Sequence, residues 1–434
     1  MRDWSPERVA QGAGARLVAP PPHAAGPGRV VIDSRAAGPG DLFVGLTGGN
    51  VDGGRFAAQA LSAGAWGVLV RPEHADAARC ALPGVLLAAE DPLAALGRLA
   101  TAWRRSLGAQ VIGITGSTGK TSTKDVLAAM LAPHRRVVAT AQNLTTEIGL
   151  PLTVLGAPPG TEVLVLEMAM RGAGQIAELA AIAEPDAGVI VNVGPVHLEL
   201  LGSVEAIAAA KAELIAGLAP GGTAIVPAGE PLLEPHRRDD VRTVTFGPGG
   251  DVAELPAALE LPFTSAHMRR NALAAVAAAR AVGVEPEGRL NVALSDMRGQ
   301  RIELPGRVVV VNDCYNANPM SMRAALDDLA ASASGRRVAV LGDMLELGPA
   351  ERGFHEEIGA HARTAGVDVL VAVGPLAEHI AAGFGARAHR VPDARAASAL
   401  VPGLLEPGDT VLVKASRGVG LEVVAQALEA EAAA

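Results

Sequence analysis

The sequence predicts an α/β protein with three domains built on largely parallel sheets. Short apolar runs alternate with helical patterns nearly throughout the chain, and this alternation is typical of strands joined by helices. At 434 residues the chain is longer than one ordinary core allows, so several domains are expected. Hydrophobic residues make up 49% and aromatic residues only 2%, which predicts interiors built from alanine, valine and leucine.

The first domain is predicted over residues 1–88, as a small α/β unit. Its strand candidates are residues 29–32, 42–46, 66–70 and 85–88. A helical stretch over 91–105 follows. Its start, Asp91-Pro92, has the pattern of an N-cap followed by proline at the first helical position.

The central domain is predicted over residues 89–302. Its strand candidates are residues 111–114, 162–166, 188–192 and 223–226. Its helix candidates are residues 121–131, 203–218 and 267–282. The segment 227–262 is rich in proline, glycine and charge and gives no clear pattern.

The C-terminal domain is predicted over residues 303–434, beginning within the glycine-punctuated segment 299–306. Strand candidates here are residues 308–312, 337–341, 367–373 and 410–414. Helix candidates are residues 319–331 and 351–364, with a last helix from 419. This regular alternation predicts a small doubly wound, Rossmann-like fold.

Bulk properties exclude several classes of protein. The net charge of −9 argues against sequence-independent nucleic-acid binding, which needs a basic surface. Cys80 and Cys314 are too few for a disulfide framework, and no Cys/His spacing resembles a zinc site. Residues 1–8 lack the apolar core of a signal peptide, and no apolar run approaches a membrane span of ~20 residues. We therefore expect a cytoplasmic enzyme without a membrane span, acting as a monomer.

The strongest local signal is the string V-I-G-I-T-G-S-T-G-K-T at residues 111–121. A buried strand runs into a glycine-rich turn, whose backbone N–H groups can surround phosphate oxygens at a helix N-terminus. Lys120 is expected on the terminal phosphates and the Thr121 hydroxyl on Mg²⁺. Ile114 stands where the strict phosphate-loop pattern begins with glycine, so a strand–helix turn without a ligand is the alternative. The predicted nucleotide-binding residues are Gly116, Ser117, Thr118, Gly119, Lys120, Thr121 and Ser122.

From Gly113 onward the sequence resembles the Mur ligases, the ATP-dependent amide ligases of peptidoglycan synthesis. The family's loop typically reads G-T-x-G-K-T, and here G-S-T-G-K-T occupies residues 116–121. Further matching strings are N-L-T-T-E-I-G-L-P-L-T (143–153), E-M (167–168), H-L-E (197–199), A-K-A-E (210–213), N-A-L-A-A (271–275), R-I-E (301–303), D-C-Y-N-A-N-P (313–319), L-G-D-M-L-E-L-G (341–348) and K-A-S-R-G (414–418).

The resemblance covers about residue 29 to the end of the chain. The strings at 313–319 and 342–348 are most similar to the family member that adds D-alanyl-D-alanine to UDP-N-acetylmuramoyl-tripeptide. The D-N-P-R string of the relative that adds the third peptide residue does not occur. Three positions depart from the family pattern: Thr145-Thr146 replace two asparagines, the D-G-H-x-F motif reads D-G-G-R-F at 52–56, and Cys314 replaces a serine.

The resemblance implies ATP and Mg²⁺ as cofactors and a two-step reaction. A peptide carboxylate attacks the γ-phosphate to give an acyl phosphate and ADP, and the amine of D-alanyl-D-alanine then displaces phosphate. By resemblance, the catalytic residues are Lys120, Lys211, His197 and Arg301. The implied metal-site residues are Thr121, Glu167, His197 and Lys211. ATP contacts are implied for Asn271 at the adenine, Arg301 at the γ-phosphate and Asp313 at the ribose.

The residues themselves support some of these roles and leave alternatives open. Glu167 and His197 follow predicted strands, so in a parallel sheet they lie at the same edge as the phosphate loop. Each has a purely structural alternative, as a helix N-terminal carboxylate and as a structural histidine. Lys211 lies on an apolar helix, where its stem could run along the surface, whereas the matching family lysine is commonly carbamylated. Asn271 could also be an N-cap.

The resemblance implies substrate contacts in all three domains. The implied substrate-binding residues are Ser34, Arg35, Asn143, Thr145, Thr146, Tyr315, Asn316 and Asn318. A turn is the alternative for Ser34-Arg35, and a helix cap is the alternative for Asn318 before Pro319. Arg301 and Asp313 flank the start of the third domain, so this domain is expected to complete the ATP site when it closes.

Two other functions remain open at this stage. A sister ligase, such as the enzyme adding the third peptide residue or folylpolyglutamate synthetase, would use the same chemistry. A P-loop ATPase serving as a regulatory module would ligate nothing. The sequence lacks an N-K-x-D guanine motif and an L-S-G-G-Q string, which disfavours two common versions of that module.

Overall fold

The computed structural model describes residues 1–19, 25–78 and 83–432. Within these ranges, three main sheets with mostly parallel strand pairs are covered by helices. The predicted α/β class with three units is therefore confirmed. Cys80 lies outside the described residues, and Cys314 is a buried free thiol.

The first unit is a sheet with the strand order β1-β5-β4-β3-β2. The β1–β5 pair is antiparallel and the other pairs are parallel. All four predicted strands are present, and the segments before and between them add one strand and three helices in the described part. The elements are α1 (Pro6–Ala13), β1 (Arg16–Ala19), β2 (Arg29–Val31), β3 (Asp41–Val44), α2 (Ala57–Ser62), β4 (Gly67–Val70), α3 (Pro72–Ala78) and β5 (Val85–Ala88).

The helix α4 (Pro92–Leu107) connects the first unit to the second. Its start follows the predicted chemistry, because the Asp91 carboxylate accepts hydrogen bonds from the backbone N–H groups of Leu93 and Ala94. The Trp103 indole N–H donates to the Ala157 carbonyl at 3.0 Å. One apolar core runs from the first unit through α4 into the second, so these two units are not separated by solvent.

The central unit is an all-parallel sheet with the strand order β11-β10-β9-β6-β8-β7. Its elements are β6 (Gln110–Thr115), α5 (Lys120–Leu131), β7 (Val137–Ala139), α6 (Gly149–Gly156), β8 (Val163–Glu167), α7 (Gln175–Ala183), β9 (Ala187–Ile190), α8 (Leu198–Leu201), α9 (Val204–Ala216), β10 (Thr223–Pro227), β11 (Arg242–Phe246), β12 (Leu259–Glu260), α10 (Ala266–Ala281) and β13 (Gly288–Arg289). Strand β6 lies between β8 and β9, so the loops after these three strands meet at one edge.

The third unit is a sheet with the strand order β14-β15-β19-β16-β17-β18, in which only the β14–β15 pair is antiparallel among the described strands. Its elements are β14 (Gln300–Leu304), β15 (Val308–Asn312), α11 (Pro319–Ser332), β16 (Arg337–Gly342), α12 (Glu351–Thr364), β17 (Val369–Val373), α13 (Ala377–Phe384), β18 (His389–Val391), α14 (Ala394–Leu400), β19 (Thr410–Lys414) and α15 (Glu422–Ala432).

The boundary expected at 302/303 falls inside β14. Because β14 pairs with β15 along its whole length, we propose that the third domain begins at Gln300. The last helix also begins later than predicted, at Glu422. A short 3-10 turn at Arg417–Val419 ends at Gly420, whose φ of 69° lies in the left-handed region and interrupts the helix.

In the part of the chain that the structure describes, no helix has the length and hydropathy required to cross a membrane. The interiors are aliphatic, as expected from the low aromatic content. In the central sheet, for example, Ile112 and Ile114 of β6 are fully buried.

Candidate active site

The phosphate loop, residues 116–119, joins β6 to α5 as predicted. Gly119 has a φ of 77°, which favours glycine. A Cβ atom at Gly119 would also lie 2.7 Å from Oδ1 of Asn271, so this position has no room for a side chain. Lys120 opens the helix, is half-buried, and donates from Nζ to the Gly116 carbonyl at 2.9 Å. Ser122, in the same helical turn, is half-buried.

The loop is held in shape by the segment that follows β9. The Thr118 backbone N–H donates to Oδ1 of Asn192 at 2.9 Å, and Nδ2 of Asn192 donates to the Thr118 carbonyl at 3.0 Å. The Ser117 hydroxyl donates to the Gly194 carbonyl at 3.0 Å and accepts from the Gly194 N–H at 2.9 Å. Sequence analysis did not select Asn192, although it ended a predicted strand at the same sheet edge.

Thr121 and Glu167 form an oxygen-rich pair beside the loop. The Thr121 hydroxyl donates to Oε2 of Glu167 at 2.8 Å, and both residues are buried. Glu167 is the last residue of β8, the neighbour of β6, so the parallel sheet itself brings the two together. Hydroxyl and carboxylate oxygens are the ligands that Mg²⁺ prefers. These two residues therefore fit a magnesium site.

His197 is held by a residue of the third unit. It lies in the left-handed region with a φ of 53°, and its Nδ1 is hydrogen-bonded to a carboxylate oxygen of Glu346. Arg171 is also 3.5 Å from the other Glu346 oxygen. Burial lowers the pKa of His197, while Glu346 opposes that shift. Glu346 lies within a family string but was not selected from the sequence.

Lys211 is a buried cation on α9, with a relative exposure of 1%. Burial lowers the pKa of its ammonium well below the usual value, and the nearby Lys120 lowers it further. Among the described residues, no hydrogen bond or ion pair involves its Nζ. The alternative in which its stem runs along the surface is therefore wrong. Glu213, two residues on, instead accepts from the N–H groups of Gly174 and Ala177.

Asn271 lies inside α10, not at its start. The helix begins at Ala266, and Asn271 is 6% exposed with its amide against Gly119. The N-cap alternative is therefore wrong. The structure places this side chain directly beside the phosphate loop, because α10 packs on α5.

Asp313 is paired with a lysine that the sequence analysis did not select. Nζ of Lys414, which is 2% exposed, donates to Oδ2 of Asp313 at 2.6 Å and to the Asn316 carbonyl at 2.9 Å. Lys414 ends β19 and Asp313 follows β15, and these strands are neighbours in the third sheet. Asn316 itself is exposed, with its side chain accepting from the Ala317 N–H.

The structure does not bring Arg301 to the phosphate loop. Arg301 is exposed on β14, and its guanidinium contacts the Ser332 hydroxyl at 3.4 Å. Arg298, three residues earlier, instead lies over the Tyr315 ring at 3.8 Å from its centroid. Burial lowers the pKa of Lys120, and the positive charge of Arg298 is near enough to lower it further. The structure thus places Arg298 against Tyr315, whereas the family string R-I-E at residues 301–303 indicated Arg301.

Asn318 caps a helix, as its structural alternative predicted, and it also reaches the phosphate loop. Its side chain accepts from the Ser321 N–H at 2.9 Å in a capping box at the start of α11. Its Nδ2 also lies 3.5 Å from the Ser117 carbonyl in the phosphate loop. Next to this contact, a Cβ atom at Gly194 would overlap the Met320 sulfur at 1.8 Å. The third unit therefore packs tightly on the loop.

The remaining predicted residues lie in two other places. The loop 141–148 carries Asn143 and Thr146, which are exposed, and Thr145, which is buried with its carbonyl accepting from the Ala169 N–H at 3.0 Å. In the first unit, Ser34 is buried and contacts Gln59 at 3.3 Å. Arg35 is exposed beside Asp33 and holds the pKa of that carboxyl at about 2. No hydrogen bond within the described ranges joins Ser34 or Arg35 to the phosphate loop.

At the departure in residues 52–56, His74 packs directly against Gly54. A Cβ atom at Gly54 would lie 2.3 Å from Cδ2 of His74. His74 fills that space and places Nε2 2.9 Å from Oδ2 of Asp52. The family motif would place a histidine at position 54. Here His74, from a different part of the chain, supplies the imidazole beside Asp52.

Models of known families match three consecutive parts of the chain. "Mur ligase family, catalytic domain" matches residues 29–104, "Mur ligase middle domain" matches 114–279, and "Mur ligase, glutamate ligase domain" matches 297–417. A similar curated protein is the UDP-N-acetylmuramoyl-tripeptide--D-alanyl-D-alanine ligase of Synechocystis sp., which is 39% identical over 93% of this chain and 92% of its own length.

Two solved structures are similar over almost the whole chain. MurF from Acinetobacter baumannii has a TM-score of 0.87 at 28% identity, covering 98% of this chain and 99% of that chain. The MurF ligase from Thermotoga maritima, solved in complex with ADP, has a TM-score of 0.82 at 30% identity, covering 93% of this chain and 98% of that chain.

Proposed function

This chain belongs to the Mur ligase family, and we propose that it uses ATP to join D-alanyl-D-alanine to UDP-N-acetylmuramoyl-tripeptide. The observation that carries the proposal is the 39% identity to a ligase of that name, which extends over 93% of this chain and 92% of the relative. A match of this extent includes all three units, and so includes both the phosphate loop and the residues that would select the acceptor.

The reaction requires two displacements, and the site offers positive charge for both. A carboxylate oxygen of the tripeptide forms a bond to the γ-phosphorus and ADP leaves. The amine of the dipeptide then forms a bond to the acyl carbon, phosphate leaves, and the amine proton is released. Lys120 and the N–H groups of the phosphate loop bind the ATP phosphates. Because the fold holds the loop N–H groups in place, they would stabilise the developing charge with little reorganisation.

Thr121 and Glu167 would hold Mg²⁺, and His197 lies at the same sheet edge. The metal would supply charge neutralisation on the phosphates. As a carbamate, Lys211 would offer this site two oxygen atoms, and oxygen is the ligand type that Mg²⁺ prefers. By the family resemblance, Asn271 would contact the adenine.

The other proposed contacts come from the family resemblance. Asp313, held by Lys414, would contact the ribose, and Tyr315, Asn316 and Asn318 would bind nucleotide or dipeptide. Asn143, Thr145 and Thr146 would contact the tripeptide, and Ser34 and Arg35 the uridine end. For the γ-phosphate we propose Arg298 in place of Arg301. The monomeric state and the cytoplasmic location stay predictions.

We expect ADP release to require four components together: ATP, Mg²⁺, UDP-N-acetylmuramoyl-tripeptide and D-alanyl-D-alanine. The acyl phosphate needs an acceptor before the cycle can finish, so omission of any one should reduce turnover to background. A coupled ADP assay with single omissions measures this. Equal turnover with glutamate or meso-diaminopimelate as acceptor would instead indicate a sister ligase, and turnover with ATP alone would indicate an ATPase module.

A matched pair of variants tests the arginine assignment. Arg298→Ala should lower kcat by about 10²-fold, because it removes a cation that stabilises charge in the transition state. Arg301→Ala removes the same charge from an exposed strand position three residues away and should stay within about threefold of the parent. Steady-state ADP release measures both, and the opposite ranking would restore the assignment to Arg301.

A further inference from the structure

The use of lysine in this chain is unusually restricted. Of its 37 lysines and arginines, only four are lysines. Lys124, Lys211 and Lys414 are each at most 3% exposed, and Lys120 is half-buried in the phosphate loop. Every fully solvated cationic side chain is thus an arginine. Lysine remains only at interior positions, where a compact ammonium with three donors differs from a planar guanidinium.

Three of these four lysines already have partners or roles in the site, and Lys124 is the fourth. It lies on α5, one turn after Lys120, and it faces the interior. Its Nζ donates to the Thr140 carbonyl at 2.7 Å and pairs with Oδ1 of Asp125 at 3.0 Å. A buried lysine is costly unless it is paired and hydrogen-bonded, and here both conditions are met.

Thr140 immediately precedes the loop 141–148. Its own hydroxyl accepts from the Glu167 N–H at 2.9 Å, and its N–H donates to the Val165 carbonyl. Lys124 therefore fixes the carbonyl of a residue that also orients the backbone of Glu167. Glu167 in turn accepts from the Thr121 hydroxyl. Lys124, Thr140, Glu167 and Thr121 are therefore linked by consecutive hydrogen bonds that begin and end on α5.

Asp125 connects α5 to Ser295, which lies 170 residues further along the chain. Its Oδ2 accepts from the Ser295 N–H at 2.8 Å, and its side chain is 10% exposed. Ser295 belongs to the linker 291–299 between β13 and β14, which carries Arg298. The Met297 carbonyl of the same linker accepts from the Tyr315 N–H at 3.2 Å. Asp125 therefore ties the interdomain linker to the helix that begins at the phosphate loop.

We propose that Lys124 and Asp125 form a positioning pair that holds the loop 141–148 and the linker 291–299 in register with the phosphate loop. Neither residue needs to touch a substrate. The loop 141–148 carries the residues proposed to contact the tripeptide, and the linker 291–299 carries Arg298. A shift of either segment would therefore misplace reacting groups. Misplacement of about 1 Å can cost about 10²-fold in rate. The expected kinetic effects of this positioning pair rest on the proposed ligase function. The expected effects on the structure of the loop and the linker do not depend on that function.

The test compares Lys124→Met and Asp125→Ala with Thr123→Val. Thr123 is a matched control, because it is fully buried on the same helix and its hydroxyl has no partner among the described residues. Amide hydrogen exchange should quicken at least about tenfold in 141–148 for Lys124→Met and in 291–297 for Asp125→Ala. Thr123→Val should exchange as the parent does.

The kinetic readout separates positioning from ATP binding. Lys124→Met should lower kcat/KM for the tripeptide nucleotide by about 10- to 100-fold, while the Kd for ATP changes less than about threefold. Unchanged exchange and kinetics in both variants would overturn the proposal, as would an equal effect in Thr123→Val. If the wild-type chain shows no ligase activity, the proposed function fails, but the exchange measurement still decides the positioning role.

A double variant distinguishes a folding defect from a loss of positioning. Lys124→Met/Asp125→Leu replaces both charged side chains by apolar ones of similar size, and replacing a buried ion pair in this way is often neutral for stability. It should melt within a few degrees of the parent and still show fast exchange in the loop and the linker. Global unfolding of both this variant and Lys124→Met would assign the pair to stability alone and overturn the proposal.

Discussion

Lys120→Ala is expected to lower turnover by about 10²–10³-fold, which is typical for loss of one preorganised group that stabilises transition-state charge. Lys120 directly follows the phosphate loop, and its Nζ donates to the Gly116 carbonyl of that loop. Burial lowers its pKa and Glu167 opposes that shift. The bound phosphates would favour the charged form further. ADP release at saturating substrates measures the effect.

The fold should survive this change. A half-buried loop lysine contributes little core packing, so the melting temperature should remain near that of the parent. Arg289→Ala, at an exposed position on β13, is the control for loss of one positive charge and should be fully active. A Lys120→Ala protein with most of its activity would show that ATP is bound elsewhere.

Lys211→Ala is expected to lose most activity, at least about 10²-fold, while remaining folded. Composition alone would suggest a dispensable cation on an alanine-rich helix, but the side chain is 1% exposed and its pKa is lowered well below the usual value by burial. A lowered pKa increases the neutral amine at neutral pH. The neutral amine can add CO₂ and release a proton, giving a carbamate whose two oxygens are hard ligands suited to Mg²⁺.

A small carboxylate tests the carbamate directly. Formate or acetate should partly restore Lys211→Ala by occupying the vacated space, but it should not restore Lys211→Met, in which the thioether chain fills that space. Full activity in Lys211→Ala would refute any catalytic role. A dead variant that neither carboxylate restores would leave the lysine essential and argue against the carbamate.

Local patterns in the sequence were sufficient for the main strands and helices. The runs that became β6, β8, β9 and β19 are continuous and apolar, and burial on both faces of a parallel sheet requires that pattern. The helix α4 was predicted together with its cap, since Asp91-Pro92 carries its own hydrogen-bonding chemistry. The phosphate loop was predicted because its glycines, Lys120 and Thr121 are consecutive in the chain.

Elements without such patterns were missed for identifiable reasons. The helix α6 begins with Gly149 and contains Pro151, so its propensity is poor and its burial against α4 decides its form. The strand β14 lies among glycines and charges, and only pairing with β15 makes it a strand. In both cases tertiary packing outweighs local preference.

The sequence by itself determined the three-part α/β order, the phosphate loop and the residues at the ends of neighbouring strands, because each depends on adjacent residues. Only the tertiary structure selected Asn192 beside Thr118, Glu346 beside His197 and Lys414 beside Asp313. These partners are 74, 149 and 101 residues apart for the three pairs. Hydrogen bonds and charge pairs over such separations leave no periodic signal in a single chain. Two of these pairs form because neighbouring strands of one sheet end side by side, and the His197–Glu346 pair forms where the third unit meets the central unit.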